Sequence, residues 1–242
     1  MTLSEETNLK VFIGWDSKQV DAYKVCEHSI RSRSYSSITI TPLIQSALRE
    51  QGLYTREKDS KASTEFSLTR FLVPFLSEYA GWSVFCDCDF LWQCDITELL
   101  SLANPEYAVQ VVQHEYTPKS SIKMANQQQH FYPRKNWSSM VLWNCAHPSH
   151  KKLSLKTIHN AQPSYLHRFA WLKDCEIGSL PVEWNSLSGY YPLKDAKAIH
   201  YTDGGPWLKE HKDCDGSNLW RKELSFGTQL PISLKKKSQY TI

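Results

Sequence analysis

The chain has 242 residues, 41% of them hydrophobic and 22% charged, a globular composition that excludes a disordered or collagen-like polypeptide. Lys and Arg number 28 against 25 Asp and Glu, a formal charge of +3, too even a balance for a nucleic-acid-binding stripe. No apolar run approaches the roughly 18 residues of a membrane span.

In chain order, Lys10 to Gly14 (KVFIG) reads as a buried strand followed by the turn Trp15-Asp16. Val20 to about Arg33 has helical spacing, and Ile38 to Ile40 alternates like a strand. Pro42 stands ahead of an expected helix through Leu48 that Gly52 closes. Ser63-Thr64 can cap a helix from Glu65 to about Glu78, bent or shortened at Pro74. Ser83 to Cys86 is the next strand, with Asp87-Cys88-Asp89 directly after it. Asp95-Ile-Thr-Glu98 has the pattern of an N-cap with Glu at N3, opening the helix ITELLSL.

Tyr107 to His114 reads as a strand, and His114 to Lys135 as a long polar, functional loop. Another strand follows at Ser138 to Trp143, then helical pieces between Pro148 and Leu172. Short extended segments close the pattern near Ile177–Leu180 and Ala198–Tyr201. Strands alternating with helices predict an α/β fold, a mostly parallel central sheet flanked by helices. No repeat or linker divides the sequence. The expectation is one domain over 1–242, its core about 9–208 and its polar tail about 221–242. That tail carries Lys235, Lys236 and Lys237. Three lysines fall short of the four to eight of a lipid-binding cluster, so a solvated tail with at most weak membrane-surface contact is expected.

The polar opening Met1 to Lys10 is not a secretory leader, which predicts a cytoplasmic protein. Its seven scattered cysteines are then expected as reduced thiols. Cys86, Cys88 and Cys94 lack a matching ligand pair at zinc-finger spacing.

In open α/β sheets, ligands gather at the carboxyl ends of strands. Three expected strand ends carry polar chemistry: Gly14-Trp15-Asp16, Asp87-Cys88-Asp89 and His200-Tyr201-Thr202. Two carboxylates one residue apart can share a hard divalent cation, and a neutral imidazole can supply a third ligand. The glycines of Thr202-Asp203-Gly204-Gly205 free the backbone to approach an anion. Short aspartate pairs also make ordinary turn bonds, and a histidine at a strand end is often a core residue. The combination therefore carries more than its parts.

Phe85-Cys-Asp87-Cys-Asp89-Phe90 resembles the D-x-D motif of GT-A fold glycosyltransferases. His200-Tyr201-x-x-Gly204-Gly205-Pro206-Trp207 resembles the carboxyl-terminal motif of glycosyltransferase family 8. Ser63 to Pro74 is similar to the helix ahead of D-x-D in such enzymes, whose arginine faces the nucleotide-sugar. Phe12 to Asp16, with Tyr23, is similar to their first strand and base-binding loop, and Pro181-Val-Glu-Trp184-Asn185 to a further element. The chain departs from family 8 where Gly205 stands in place of a lysine before Pro-Trp. It departs again where His167-Arg168-Phe169 lies near an expected Asp-Gln-Asp.

The resemblance implies a single GT-A-like, Rossmann-related domain and a metal-dependent transfer of a sugar from a nucleoside diphosphate, UDP-linked, to a glycan, lipid or protein acceptor. Asp87, Asp89 and His200 are then the Mn²⁺ or Mg²⁺ ligands, with the two aspartates catalytic. Gly14, Trp15, Asp16, Tyr23, Arg70, Asp87, Cys88, Gly204 and Gly205 are the nucleotide-sugar residues. Trp137, Ser138, Asn144 and Trp184 are those of the sugar or acceptor side. Two alternatives stand beside it. A nucleotidyltransferase also uses carboxylates and metal, but normally shows a Gly-rich phosphate loop that Gly14 alone does not supply. A non-catalytic carbohydrate-binding protein would use some of the nine tryptophans as stacking platforms.

Overall fold

The structure is a computed structural model that describes residues 8–57, 63–115, 122–123, 127–128, 134 and 136–227. Lys235, Lys236, Lys237 and most of the 114–135 loop lie outside the described residues.

Strand β1 (Leu9–Gly14) leads into helix α1 (Val20–Arg31), strand β2 (Ile38–Leu43) and helix α2 (Gln45–Glu50). A 3₁₀ turn (Thr69–Leu72) runs into the short helix α3 (Val73–Leu76), then strands β3 (Trp82–Cys86), β4 (Phe90–Trp92) and β5 (Val109–Val111). The two-residue strands β6 (Ile122–Lys123) and β7 (Gln127–Gln128) form a small antiparallel pair. Next come β8 (Met140–Asn144), helices α4 (Leu155–Asn160) and α5 (Pro163–His167), and β9 (Ile177–Ser179). The last elements are β10 (Ser186–Leu187), β11 (Ala198–His200) and helix α6 (Ser217–Gly227).

The main sheet has six strands in the order β2-β1-β3-β8-β5-β9. Every pairing is parallel except the two made by β8, so the fold is α/β with a mostly parallel sheet, as the alternation predicts. β1 and β3 read as continuous apolar runs because both of their faces are covered. Val11, Ile13, Val84 and Phe85 are fully buried, each worth roughly 1.5–3 kcal/mol of transfer free energy. A second sheet of three strands, β10-β11-β4, packs beside the main one and sets the position of His200. Among the described residues, no helix is long and apolar enough to cross a membrane. All seven cysteines are unbridged, although Cys26 and Cys86 place their sulfurs 3.8 Å apart.

Several boundaries differ from expectation. The helix expected over Glu65–Glu78 is a 3₁₀ turn plus one α turn, because Pro74 at the helix start has no N–H to extend the ladder backwards. Ser63-Thr64 does not cap it; Thr64 instead exchanges a hydroxyl bond of 3.0 Å with Ser67. Pro42 lies inside β2, which sits at the sheet's edge, where a missing donor is tolerated. Residues 221–227 of the expected polar tail belong to α6, whose Trp220 and Glu223 are buried.

Candidate metal and donor site

Parallel pairing of β1 with β3 aligns Ile13 with Cys86, so Gly14-Trp15-Asp16 and Asp87-Cys88-Asp89 leave the same edge of the main sheet. His200 arrives by another route. β11 runs antiparallel to β4 with His200 opposite Phe90, and the Tyr201 N–H donates to the Asp89 carbonyl at 3.0 Å. The second sheet thereby carries His200 onto the D-x-D turn. The imidazole also stacks on the Phe90 ring, with centroids 4.5 Å apart.

One ligand atom each from Asp87, Asp89 and His200 lies within 4.8 Å of the others. That spacing suits a shared divalent cation, since metal–oxygen bonds of about 2.0–2.6 Å put ligands roughly 3–5 Å apart. Asp89 is only 7% exposed, yet its Oδ1 accepts no hydrogen bond from any described residue. His200 Nε2 lies 3.5 Å from it. A buried carboxylate oxygen left in that condition is costly unless a cation meets it, and two carboxylates with an imidazole suit such an ion.

Asn185 fixes the histidine. Its Nδ2 donates to Ser139 Oγ at 2.9 Å, and Ser139 Oγ donates to the Asn136 carbonyl at 2.6 Å. Asn185 Oδ1 thus faces His200 Nδ1 at 3.0 Å. The Nδ1 proton is held there, and the Nε2 lone pair points to Asp89, as a metal-binding histidine requires.

Arg70 stands on the opposite side. Its Nη1 contacts Asp87 Oδ1 at 2.8 Å and donates to the Ser138 carbonyl at 2.7 Å, while Nε donates to the Ser67 carbonyl at 3.1 Å. Gly14 lets this segment approach: a Cβ there would sit 2.4 Å from the Phe66 ring. Ser138 Oγ in turn meets His167 Nδ1 at 3.0 Å. Burial, with help from the Arg70 cation, pushes the His167 pKa down to about 3, so its imidazole is neutral. Burial and then His200 push His114 down to about 3 as well; its Nδ1 lies 3.3 Å from the Tyr191 hydroxyl.

The other expected site residues divide. Trp15 is half-buried and meets Tyr23 edge-to-face at 4.8 Å beside the D-x-D edge. Asp16 is buried, its carboxylate accepting the N–H groups of Lys18 at 2.9 Å and Glu65 at 3.4 Å, a turn-building role. Cys88, in the turn between β3 and β4, is fully buried, its sulfur 3.9 Å from Gln19 Oε1. Burial first, then Asp89 and Asp87, push its thiol pKa up.

Gly204 has φ +123°, and a Cβ on Gly205 would lie 2.0 Å from the Trp207 ring, so packing alone already demands both glycines. Trp137 is half-buried, its Nε1 donating to the His114 carbonyl at 3.3 Å with the Arg134 guanidinium 5.5 Å over its ring. One residue is not brought to the site. Asn144 pairs with Trp82, at the end of β3 away from Asp87, because β8 is antiparallel; its Nδ2 serves the carbonyls of Pro105 and Tyr107. Trp184 is buried, 6.3 Å from Trp92 and beneath Lys197. Asn185, Ser139 and His167, none of them among the expected site residues, hold positions beside the cluster. Asn185 had one signal, its place as the last residue of the Pro181–Asn185 segment, and His167 another, its place in the departure at His167-Arg168-Phe169.

No protein-family model matches the chain. Among curated proteins it is similar to Protein CDI of Arabidopsis thaliana, 50% identical over 227 residues that cover 91% of this chain and 88% of that one. Among solved structures it is similar to the bifunctional glycosyltransferase WbbM (TM-score 0.64, 16% identity), covering 93% of this chain and 51% of that chain. It is similar also to the apo glycosyltransferase GlyE of Streptococcus pneumoniae TIGR4 (TM-score 0.60, 15% identity, 92% of this chain and 62% of that one). The galactosyltransferase LgtC, in complex with donor and acceptor sugar analogues, gives TM-score 0.53 at 13% identity over 93% of this chain and 98% of that one. The chain thus spans between half and two thirds of the first two structures. At these identities the likeness establishes the fold, which is that of the GT-A glycosyltransferases.

Proposed function

The chain belongs to the family of Protein CDI, and from its GT-A fold and its metal-ligand cluster we propose that it is a metal-dependent glycosyltransferase related to the family 8 type. It moves a sugar from a nucleoside diphosphate donor, UDP-linked, to a glycan, lipid or protein acceptor. The observation that carries this reading is the Asp87–Asp89–His200 cluster at the carboxyl edge of β3, with the Asp89 oxygen left without a donor.

A Mn²⁺ or Mg²⁺ ion bound there supplies Lewis-acid neutralisation of the diphosphate leaving group. The chain's own residues do the rest. Asp87 and Asp89 present carboxylate oxygens from a turn whose backbone is tied to Ser139 and Tyr201. Asn185 keeps the proton on His200 Nδ1 and so keeps Nε2 available. Arg70 supplies fixed positive charge beside the donor's phosphates. Trp15 and Tyr23, with Gly14 and Asp16 shaping their turn, form the wall against the base. Gly204 and Gly205 let the backbone approach the diphosphate, and Trp137 and Ser138 stand on the sugar and acceptor side.

A thermal-shift panel of nucleotides and nucleotide-sugars, each with and without Mn²⁺, tests the reading. A ligand specific for the folded state raises the midpoint, and more so the higher its concentration relative to its dissociation constant. UDP or a UDP-sugar with Mn²⁺ is expected to raise it more than either alone. A panel in which no nucleotide shifts the midpoint with metal present overturns the proposal.

A further inference from the structure

Arg70 is a buried cation held on every side. Besides its bonds to Ser67, Ser138 and Asp87, its guanidinium lies 5.3 Å from the Phe66 ring centre and 5.0 Å from that of Phe85. A guanidinium cannot shed its proton in a protein, so this charge is permanent. The carboxylate of Asp16, the next acid along this edge, is already engaged by backbone N–H groups. At the metal cluster, the carboxylates of Asp87 and Asp89 and the Arg70 guanidinium together leave a single net negative charge. A divalent cation bound alone reverses that balance to a net positive charge in a place where solvent screens little. The diphosphate of a nucleotide restores it.

We propose that Arg70 makes metal binding at Asp87, Asp89 and His200 conditional on the diphosphate, so that cation and nucleotide enter and leave as a coupled pair. The proposal rests on the transferase reading above and adds to it a reason for the buried Arg70–Asp87 contact. Without nucleotide, Arg70 is the counter-charge of Asp87 and repels an incoming cation. With nucleotide, the phosphate oxygens give both Arg70 and the cation an anionic partner. Linkage then requires the cation to tighten nucleotide binding by the same factor that nucleotide tightens cation binding.

The experiment is a calorimetric titration of Mn²⁺ into wild-type protein, Arg70→Gln, Arg70→Met and Arg70→Lys, each with and without saturating UDP. Circular dichroism verifies the fold of each. In the wild type, UDP is expected to tighten Mn²⁺ binding by about 5- to 150-fold, the ordinary range of such couplings. Removing the charge in Arg70→Gln or Arg70→Met tightens Mn²⁺ binding in the absence of UDP by at least about fivefold and brings the coupling factor towards 1. Arg70→Lys keeps the charge and the coupling. A gain in metal affinity is a readout that mere damage to the fold does not produce. Unchanged or weaker metal-alone affinity in both charge-removed proteins overturns the proposal, as does a wild type whose Mn²⁺ affinity ignores UDP. Should the wild type take up no Mn²⁺ with or without UDP, the metal-dependent transferase reading falls first, a result distinct from Mn²⁺ binding without coupling.

Discussion

Two buried carboxylates in this molecule have opposite surroundings. Glu223 on α6 is 5% exposed, and both of its oxygens are answered. Arg33 reaches them at 3.0 and 2.8 Å, and His28 Nδ1 at 2.6 Å, across the seam with α1. Burial alone raises the pKa of Glu223, but the Arg33 guanidinium and His28 outweigh it and hold the carboxyl below its ordinary value. Asp89 is 7% exposed, and its Oδ1 receives no hydrogen bond from the described residues. The first carboxylate ties one helix to another. The second is left for something the chain does not itself supply. Burial is similar in the two places, so partner count separates a structural acid from a functional one.

The largest expected difference is in metal-dependent activity. Asp89→Asn and Asp87→Asn should each lower donor turnover by more than roughly 100-fold, beyond the 10- to 100-fold typical for losing a residue that merely supports a ligand. Asp89→Asn should at the same time raise the metal-free melting temperature, or leave it unchanged, because it removes a buried charge without a donor. Wild-type turnover in a folded Asp89→Asn protein breaks the comparison.

Glu223→Ala should do the reverse. It strands Arg33 and His28 and costs about 3–5 kcal/mol, lowering the melting temperature by roughly 2–4 °C per kcal/mol for a chain of this size. Mn²⁺ and UDP binding by the folded fraction should be unchanged. Loss of metal binding in that variant, measured below its melting temperature, would erase the distinction between the two acids.

Asn185→Ala should weaken Mn²⁺ affinity by about 10- to 100-fold, since it frees the His200 ring to rotate and change tautomer. Equal affinity in a direct titration would return Asn185 to a packing role. The smallest effect concerns His150, which is fully buried with Nε2 3.0 Å from the Ala108 carbonyl. Burial lowers its pKa from 6.5 to about 4. The unfolded chain therefore binds this proton first as pH falls. The stability tied to neutral His150 is complete above about pH 6.5 and is lost progressively down to about pH 4. At 1.36 kcal/mol per pKa unit, the loss is about 3 kcal/mol. Replacing His150 with Gln should flatten that part of the melting-temperature profile, measured by calorimetry between pH 7 and pH 4.

The D-x-D turn was legible because apolar runs ending in paired aspartates leave few structural explanations for the charges. His200 was legible as a residue but not in its route. β4 is three residues long and β10 two, too short to give a periodicity signal, so the second sheet that delivers His200 was invisible. Asn144 shows a different limit. Alternation announces a strand without announcing its direction, and antiparallel β8 puts Asn144 at the wrong end of the sheet. Asn185 depends on a partner 46 residues away, Ser139, a pairing that exists only once β8 and β11 are in place. Trp184 is buried against Trp92, since an aromatic ring serves a core as readily as a sugar platform.

The most direct test of the central claim is Mn²⁺ occupancy at saturating UDP, counted by electron paramagnetic resonance in wild-type and Asp89→Asn protein. The account predicts one tightly bound Mn²⁺ per wild-type chain and none at the same concentration in the folded Asp89→Asn chain. Equal occupancy in the two would contradict it, because the metal would then be held without the buried Asp89 oxygen that waits for it.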